Sequence, residues 1–117
     1  MINFQKNKIM NIETENKGSF KANEFIEYSD KSVVSKTIIK KPSGNITLFA
    51  FDKGEGLAEH SSPHEAFIQI TDGSAEINIG GKLNRLSSGE CIILPADIPH
   101  SLMAADKFKM ILTMIKN

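Results

Sequence analysis

A chain of 117 residues, 40% hydrophobic, with 14 basic and 14 acidic side chains and no formal net charge, has the bulk for one hydrophobic core and not for two. Neutrality without a basic stripe or interleaved aromatics argues against nucleic acid as a partner. No apolar run approaches membrane-spanning length and residues 1–16 lack an apolar signal core, so a soluble, cytoplasmic protein with no membrane partner is expected.

Residues 1–20, rich in Asn, Lys and Glu, read as an N-terminal arm, either flexible or a short strand that orders against a partner subunit. Residues 21–117 form the single folded domain. Within Lys21–Tyr28, the spacing of Ala22, Phe25 and Ile26 predicts a short helix, closed by Ser29 and Asp30. Val33–Lys40 is β-branched, with Lys36 and Lys40 on one face and Val33, Ser35, Thr37 and Ile39 on the inward one. Pro42–Asn45 is a turn. The next strand, Ile46–Phe51, is apolar on both faces and calls for a second sheet or a second subunit over it.

Ala66–Thr71 is a strand that turns at Asp72–Gly73, and Ala75, Ile77 and Ile79 alternate with Glu76 and Asn78 in the strand after it. Gly80–Gly81 signals a two-residue hairpin, because a type I′ turn needs positive φ at both centres. Lys82–Leu86 returns, Ser87–Gly89 turns, and Cys91–Leu94 follows. Cys91 is the lone cysteine; within the apolar run CIIL it reads as a small buried core residue in a reducing compartment. Pro99–Met103 carries His100. Lys107–Ile115 closes the sheet with Phe108, Met110, Leu112 and Met114 inward. Short strands with turns every eight to twelve residues make an all-β fold, an antiparallel barrel or jelly roll with one short N-terminal helix.

The chain's three histidines fall in two short segments. His60 and His64 lie within Gly54–Gly73, and His100 lies in ILPADIPHSL. Gly54, His60 and Gly73 have the spacing of the first motif of the cupin superfamily, and Gly89, Pro95 and His100 that of the second. The chain therefore resembles a cupin over about its middle half. The segments EHSSP (Glu59–Pro63), LPADIPH (Leu94–His100) and FKMILTMI (Phe108–Ile115) are similar to those of a small single-domain group with a conserved barrel. The resemblance implies a cupin jelly-roll barrel and no settled activity. It also marks departures: the family's second histidine falls on Ser62, its glutamate on Ala66, its second-motif glycine on Asp97 and its asparagine on Ala104.

Imidazole is the commonest protein ligand for transition metals, and donors must converge on one point. On a strand, residues two apart share a face and lie about 6.6 Å apart, which is the relation of His60 to Ser62, but serine is a poor ligand. His64 would lie roughly 13 Å from His60 on a straight strand, so convergence needs the bend that Ser61, Ser62 and Pro63 permit. Two arrangements stay open. In one, His60, His64 and His100 hold a divalent transition metal (Fe, Mn, Ni or Zn) with open positions. In the other, His60 and His100 alone hold it weakly. Glu59 and Glu65 point away from the site as solvated loop charges or accept from an imidazole N–H. Arg85, the sole arginine, is the one candidate for bidentate anion recognition.

The expected pocket is lined by Ser62, Ile68, Ile70, Ile77, Phe108, Met110, Leu112 and Met114, a mainly apolar site for a small molecule. Two functions fit: a metal-dependent enzyme acting on a small apolar ligand, or a metal-free binding or sensing module. No residue is assigned as catalytic. A homodimer is expected, because both faces of Ile46–Phe51 are apolar and Val34 and Ile38 share an outward face with lysines.

Overall fold

The computed structural model describes the backbone of residues 4–9 and all of residues 18–116. Among them run nine strands: β1 (Phe4–Ile9), β2 (Val33–Lys41), β3 (Gly44–Phe51), β4 (Gly56–His60), β5 (Glu65–Ile79), β6 (Lys82–Ser87), β7 (Cys91–Leu94), β8 (His100–Met103) and β9 (Phe108–Ile115). Their order is β1-β2-β3-β9-β5-β8-β4, with β6 and β7 also pairing with β5. All pairs are antiparallel except β1 with β2. The expected arm thus contributes a strand, Phe4–Ile9, along β2 of the same chain.

β5 shapes the half-barrel. Its first part, Glu65–Gly73, pairs with β9, and β7 flanks it on the other side. Its second part, Ser74–Ile79, lies between β6 and β8. The turn expected at Asp72–Gly73 is instead a corner within one 15-residue strand. A register shift between Ile70 and Asp72 bends the strand, and Gly73 takes a φ of 70°. A β-carbon there would stand 2.1 Å from the Lys107 carbonyl oxygen, so a side chain cannot be accommodated without moving β9. Bulges with a glycine at positive φ let a strand pass from one sheet to the next. The Gly80–Gly81 hairpin forms as expected, with φ of 57° and 86° and Ile79 opposite Lys82.

The short helix expected over Lys21–Tyr28 is only a 3-10 turn, Ala22–Glu24. The carbonyls that a longer helix would use internally have other partners: Lys36 donates to the Phe25 carbonyl, and Lys109 to that of Asn23 at 2.6 Å. The Asn23 amide in turn donates to the Thr71 carbonyl at 2.8 Å. Held this way, the segment lays Ile26, Ala22, Phe25 and Tyr28 over Val34, Leu48 and Ala50. The cover required by the two-faced apolar strand β3 is therefore the chain's own residues 22–28.

The main core gathers Val33, Phe49, Phe51, Ile68, Ile70, Ile77, Phe108 and Met110, with the Phe51 and Phe108 rings stacked at 4.4 Å. Ile39, expected inward, is exposed, because a register shift between Thr37 and Ile39 turns the end of β2 outward. Cys91 is also exposed rather than buried. In the four-residue β7 the buried residue is Leu94, so Cys91 and Ile93 take the outer face.

A histidine pair at the mouth of an apolar cavity

β4 ends on His60 and β8 begins on His100, and the two are cross-strand partners. Their ring centroids are 4.5 Å apart, edge to face at 67°. His100 is buried, whereas His60 is exposed. Each ring is held by the carbonyl two residues before it: His60 Nδ1 lies 2.9 Å from the Ala58 oxygen, and His100 Nδ1 lies 3.2 Å from the Ile98 oxygen. A carbonyl only accepts, so in the neutral rings Nδ1 carries the proton and Nε2 keeps its lone pair. Burial pushes the His100 pKa below the ordinary histidine value, the bond to the Ile98 carbonyl opposes this in part, and the neighbouring His60 adds a smaller lowering.

The loops that present the pair are tied to each other. Asp97 adopts a φ of 67° where the cupin motif has glycine, and its N–H donates to the Ser62 carbonyl at 2.7 Å. Aspartate is among the few residues that tolerate this conformation. The Ser62 hydroxyl, at the motif's second histidine position, accepts from the His64 N–H at 3.1 Å and so fastens the bend after β4. Ala104, at the motif's asparagine position, is buried and exchanges backbone bonds with Gly54 and Glu55.

Behind the pair is a cavity open to solvent at its mouth. His60, Ser62, His64 and His100 are the polar side chains of its lining; Leu57, Ala66, Ile68, Leu94, Leu102, Met110, Leu112 and Met114 supply the rest. Five of the residues expected there are present: Ser62, Ile68, Met110, Leu112 and Met114. Ile70, Ile77 and Phe108 are instead fully buried in the core. Leu57, Ala66, Leu94 and Leu102 were not expected. Pairing brings them in, since Leu57 lies opposite Leu102, and Ala66 lies opposite both Leu94 and Met114. Partners of this kind are set by register across strands far apart in sequence.

All three histidines line this cavity. Among the described residues, however, no three His, Cys, Asp or Glu side chains are gathered closely enough to form a metal cluster. His60 and His100 are the two imidazoles brought into contact. Ser62 Oγ already accepts from the His64 N–H, and Ala66 offers a methyl where the motif has a carboxylate. Glu59 and Glu65 are exposed, and Arg85 pairs with Glu76 at 3.1 Å on the β5–β6 hairpin.

Residues 47–116 match the family model of the cupin domain. The chain belongs to the cupin family. This cupin is similar to the crystal structure of a conserved protein of unknown function from Streptococcus pyogenes, at 33% identity over 88% of this chain and 90% of that one, with a TM-score of 0.84. It is also similar to a cupin 2 conserved barrel domain protein from Leptotrichia buccalis, at 37% identity, 80% of this chain, 45% of that one and a TM-score of 0.77. A cupin superfamily protein from Desulfitobacterium hafniense shares the fold at 23% identity over 80% of this chain and 86% of that one, with a TM-score of 0.77. No curated relative matches it in sequence. Among the described residues, no helix is long and apolar enough to cross a membrane.

Proposed function

We propose that this cupin binds a small, mainly apolar molecule in the cavity, with the His60–His100 pair at its polar end, and that the same pair holds a divalent transition metal. The supporting observation is that both Nδ1 atoms are bonded to backbone carbonyls, which leaves two Nε2 lone pairs on rings 4.5 Å apart at one cavity. Anchoring one imidazole nitrogen so that the other can ligate is the usual support of a metal-binding histidine. Borderline ions such as Fe, Mn, Ni or Zn suit imidazole donors. Two protein ligands hold such an ion weakly, with His64, water or the bound ligand completing the shell. A metal so held supplies Lewis-acid polarisation to a ligand oxygen. The lining contains no carboxylate, and the paired imidazoles are committed as ligands when a metal is bound, which favours binding or sensing over catalysis.

The test is metal content after purification without an affinity tag, followed by Zn(II) and Ni(II) titration. His60→Ala and His100→Ala should each abolish binding, while His64→Ala retains most of it. Equal loss in all three variants would bring His64 into the shell as a third ligand. No binding by the wild type would remove the metal and leave the cavity as a metal-free ligand site.

A homodimer is a second element of this reading. Phe67, Ile93 and Ile115 are 41%, 58% and 62% exposed, and they share one sheet face: Phe67 lies opposite Ile93, and Ile115 lies opposite Glu65 two residues along. Apolar side chains grouped on an exposed face favour association. Light scattering should give a dimer mass for the wild type and a monomer mass for Ile93→Lys. A monomeric wild type at micromolar concentration would contradict it.

A further inference from the structure

We propose that the metal-free cavity selects ligands whose polar head donates a hydrogen bond, such as a phenol, an alcohol or an amide N–H, and discriminates against carboxylates and ethers of the same shape. This rests on the reading of the cavity as a ligand site. It follows from which atoms of the pair are already committed. His60 gives its Nδ1–H to the Ala58 carbonyl, and His100 gives its own to the Ile98 carbonyl. Each neutral ring then meets a ligand with a lone pair on Nε2 and no N–H. The two rings touch edge to face, with centroids 4.5 Å apart, and both line the cavity, so a head group set against the pair meets ring acceptors and no ring N–H.

Charge elsewhere in the molecule does not change this. No lysine or arginine lines the cavity, and Arg85 is 75% exposed on a hairpin, paired with Glu76. An anionic head would leave water for a site that offers it no cation. It would also set its own lone pairs against those of the rings. Against the pair, an acceptor finds no donor on either ring and keeps its desolvation penalty. The donors of the lining are the Ser62 hydroxyl and the His64 ring beside the pair, so the preference is set by the heads that reach His60 and His100. A hydroxyl or N–H reverses the sign of the same contact.

The same lone pairs would bind a metal, so a donor ligand and a metal compete. Each should weaken the other's apparent affinity by the same factor.

The test uses the full chain, stripped of metal with a chelator, at pH 8, where imidazoles are neutral. Phenol, anisole and benzoate are titrated separately and followed by the NMR shifts of the His60 and His100 rings and the Met110 and Met114 methyls. Phenol should bind roughly tenfold more tightly than anisole or benzoate. Zn(II) should raise the apparent dissociation constant of phenol. His60→Gln replaces one acceptor with an amide that also donates and, at an exposed position, should narrow the preference for phenol without unfolding the domain. Benzoate or anisole binding as tightly as phenol would overturn the proposal while leaving the cavity a ligand site. Absence of shifts with all three probes would overturn both.

Discussion

His100 and His60 meet across the β4–β8 ladder with one ring buried and the other exposed, and a backbone carbonyl holds Nδ1 of each. This asymmetry has a consequence for pH. Burial lowers the His100 pKa below its value in the unfolded chain, so between the two values the unfolded state binds more protons than the folded one. Stability is therefore fully present above pH 6.5, the ordinary histidine value, and declines as pH falls through the lower folded value. Urea midpoints at pH 8, 7, 6 and 5 should be level at the upper end and fall below 6.5. In His100→Gln the part of the fall that belongs to this ring should disappear. An unchanged pH profile in that variant would assign the decline to other groups.

Tyr28 latches the covering segment to the sheet. Its hydroxyl donates to Asp72 Oδ2 at 2.6 Å, and its ring lies 4.8 and 5.0 Å from the Lys107 and Lys109 ammonium groups. Burial, followed by the bond to Asp72, pushes its pKa well above the ordinary value of 10. Tyr28 is the chain's only tyrosine, so absorbance reports on it without interference. A raised folded pKa means that this contribution to stability is present below pH 10 and is lost as pH rises through the folded value. Tyrosinate absorbance should stay flat through pH 10 in the native protein and appear near 10 in urea. Tyr28→Phe should cost about 1 kcal/mol and increase amide exchange in residues 22–28.

Gly73→Ala tests the corner of β5. The substitution combines a φ of 70° with a β-carbon 2.1 Å from the Lys107 oxygen. A loss of more than about 2 kcal/mol is expected from the strain and the displaced β9 together. Gly81→Ala is the comparison: it has a φ of 86° but nothing within 4 Å, and should cost less. Equal losses in urea denaturation would remove the close approach from the explanation.

Much of this arrangement is legible in local pattern. Gly80–Gly81 carries its turn chemistry within two residues, and the alternation of Phe108 and Met110 against Lys107 and Lys109 faces β9 correctly. What escapes local reading depends on distant partners. The segment around Phe25 has helical spacing, but Lys36 and Lys109 capture the carbonyls that a helix needs. Asp72–Gly73 has the composition of a turn, yet β9 pairs on through it and keeps the strand continuous. Ile39 faces outward because of a bulge, and Cys91 because alternation along β7 turns Leu94 inward. At the site, the spacing of His60 and His100 was readable, whereas Ala66, Leu94 and Leu102 enter the cavity only through cross-strand register.

Ser62→His restores an imidazole at the motif's second position. Ser62 is half-buried in the cavity lining, so the new ring should add a donor beside the pair and tighten Ni(II) binding by at least tenfold. Isothermal titration of wild type and variant measures this directly. The variant also removes the hydroxyl that accepts from the His64 N–H, so a small loss of thermal stability should accompany the gain. No change in affinity would mean that position 62 does not address the point where the pair would hold a metal.

The state of the two imidazoles underlies the metal reading and the ligand preference alike. Long-range 1H–15N correlation spectra of the metal-free protein at pH 8 distinguish a protonated ring nitrogen from a bare one. With His64→Ala the spectrum reduces to His60 and His100, the histidines that remain. Both rings should show the tautomer protonated at Nδ1, with Nε2 bare, as the carbonyls of Ala58 and Ile98 require. Protonation at Nε2 in either ring would contradict the account, because that ring would then present a donor, and neither a metal nor a donating head group would find its lone pair.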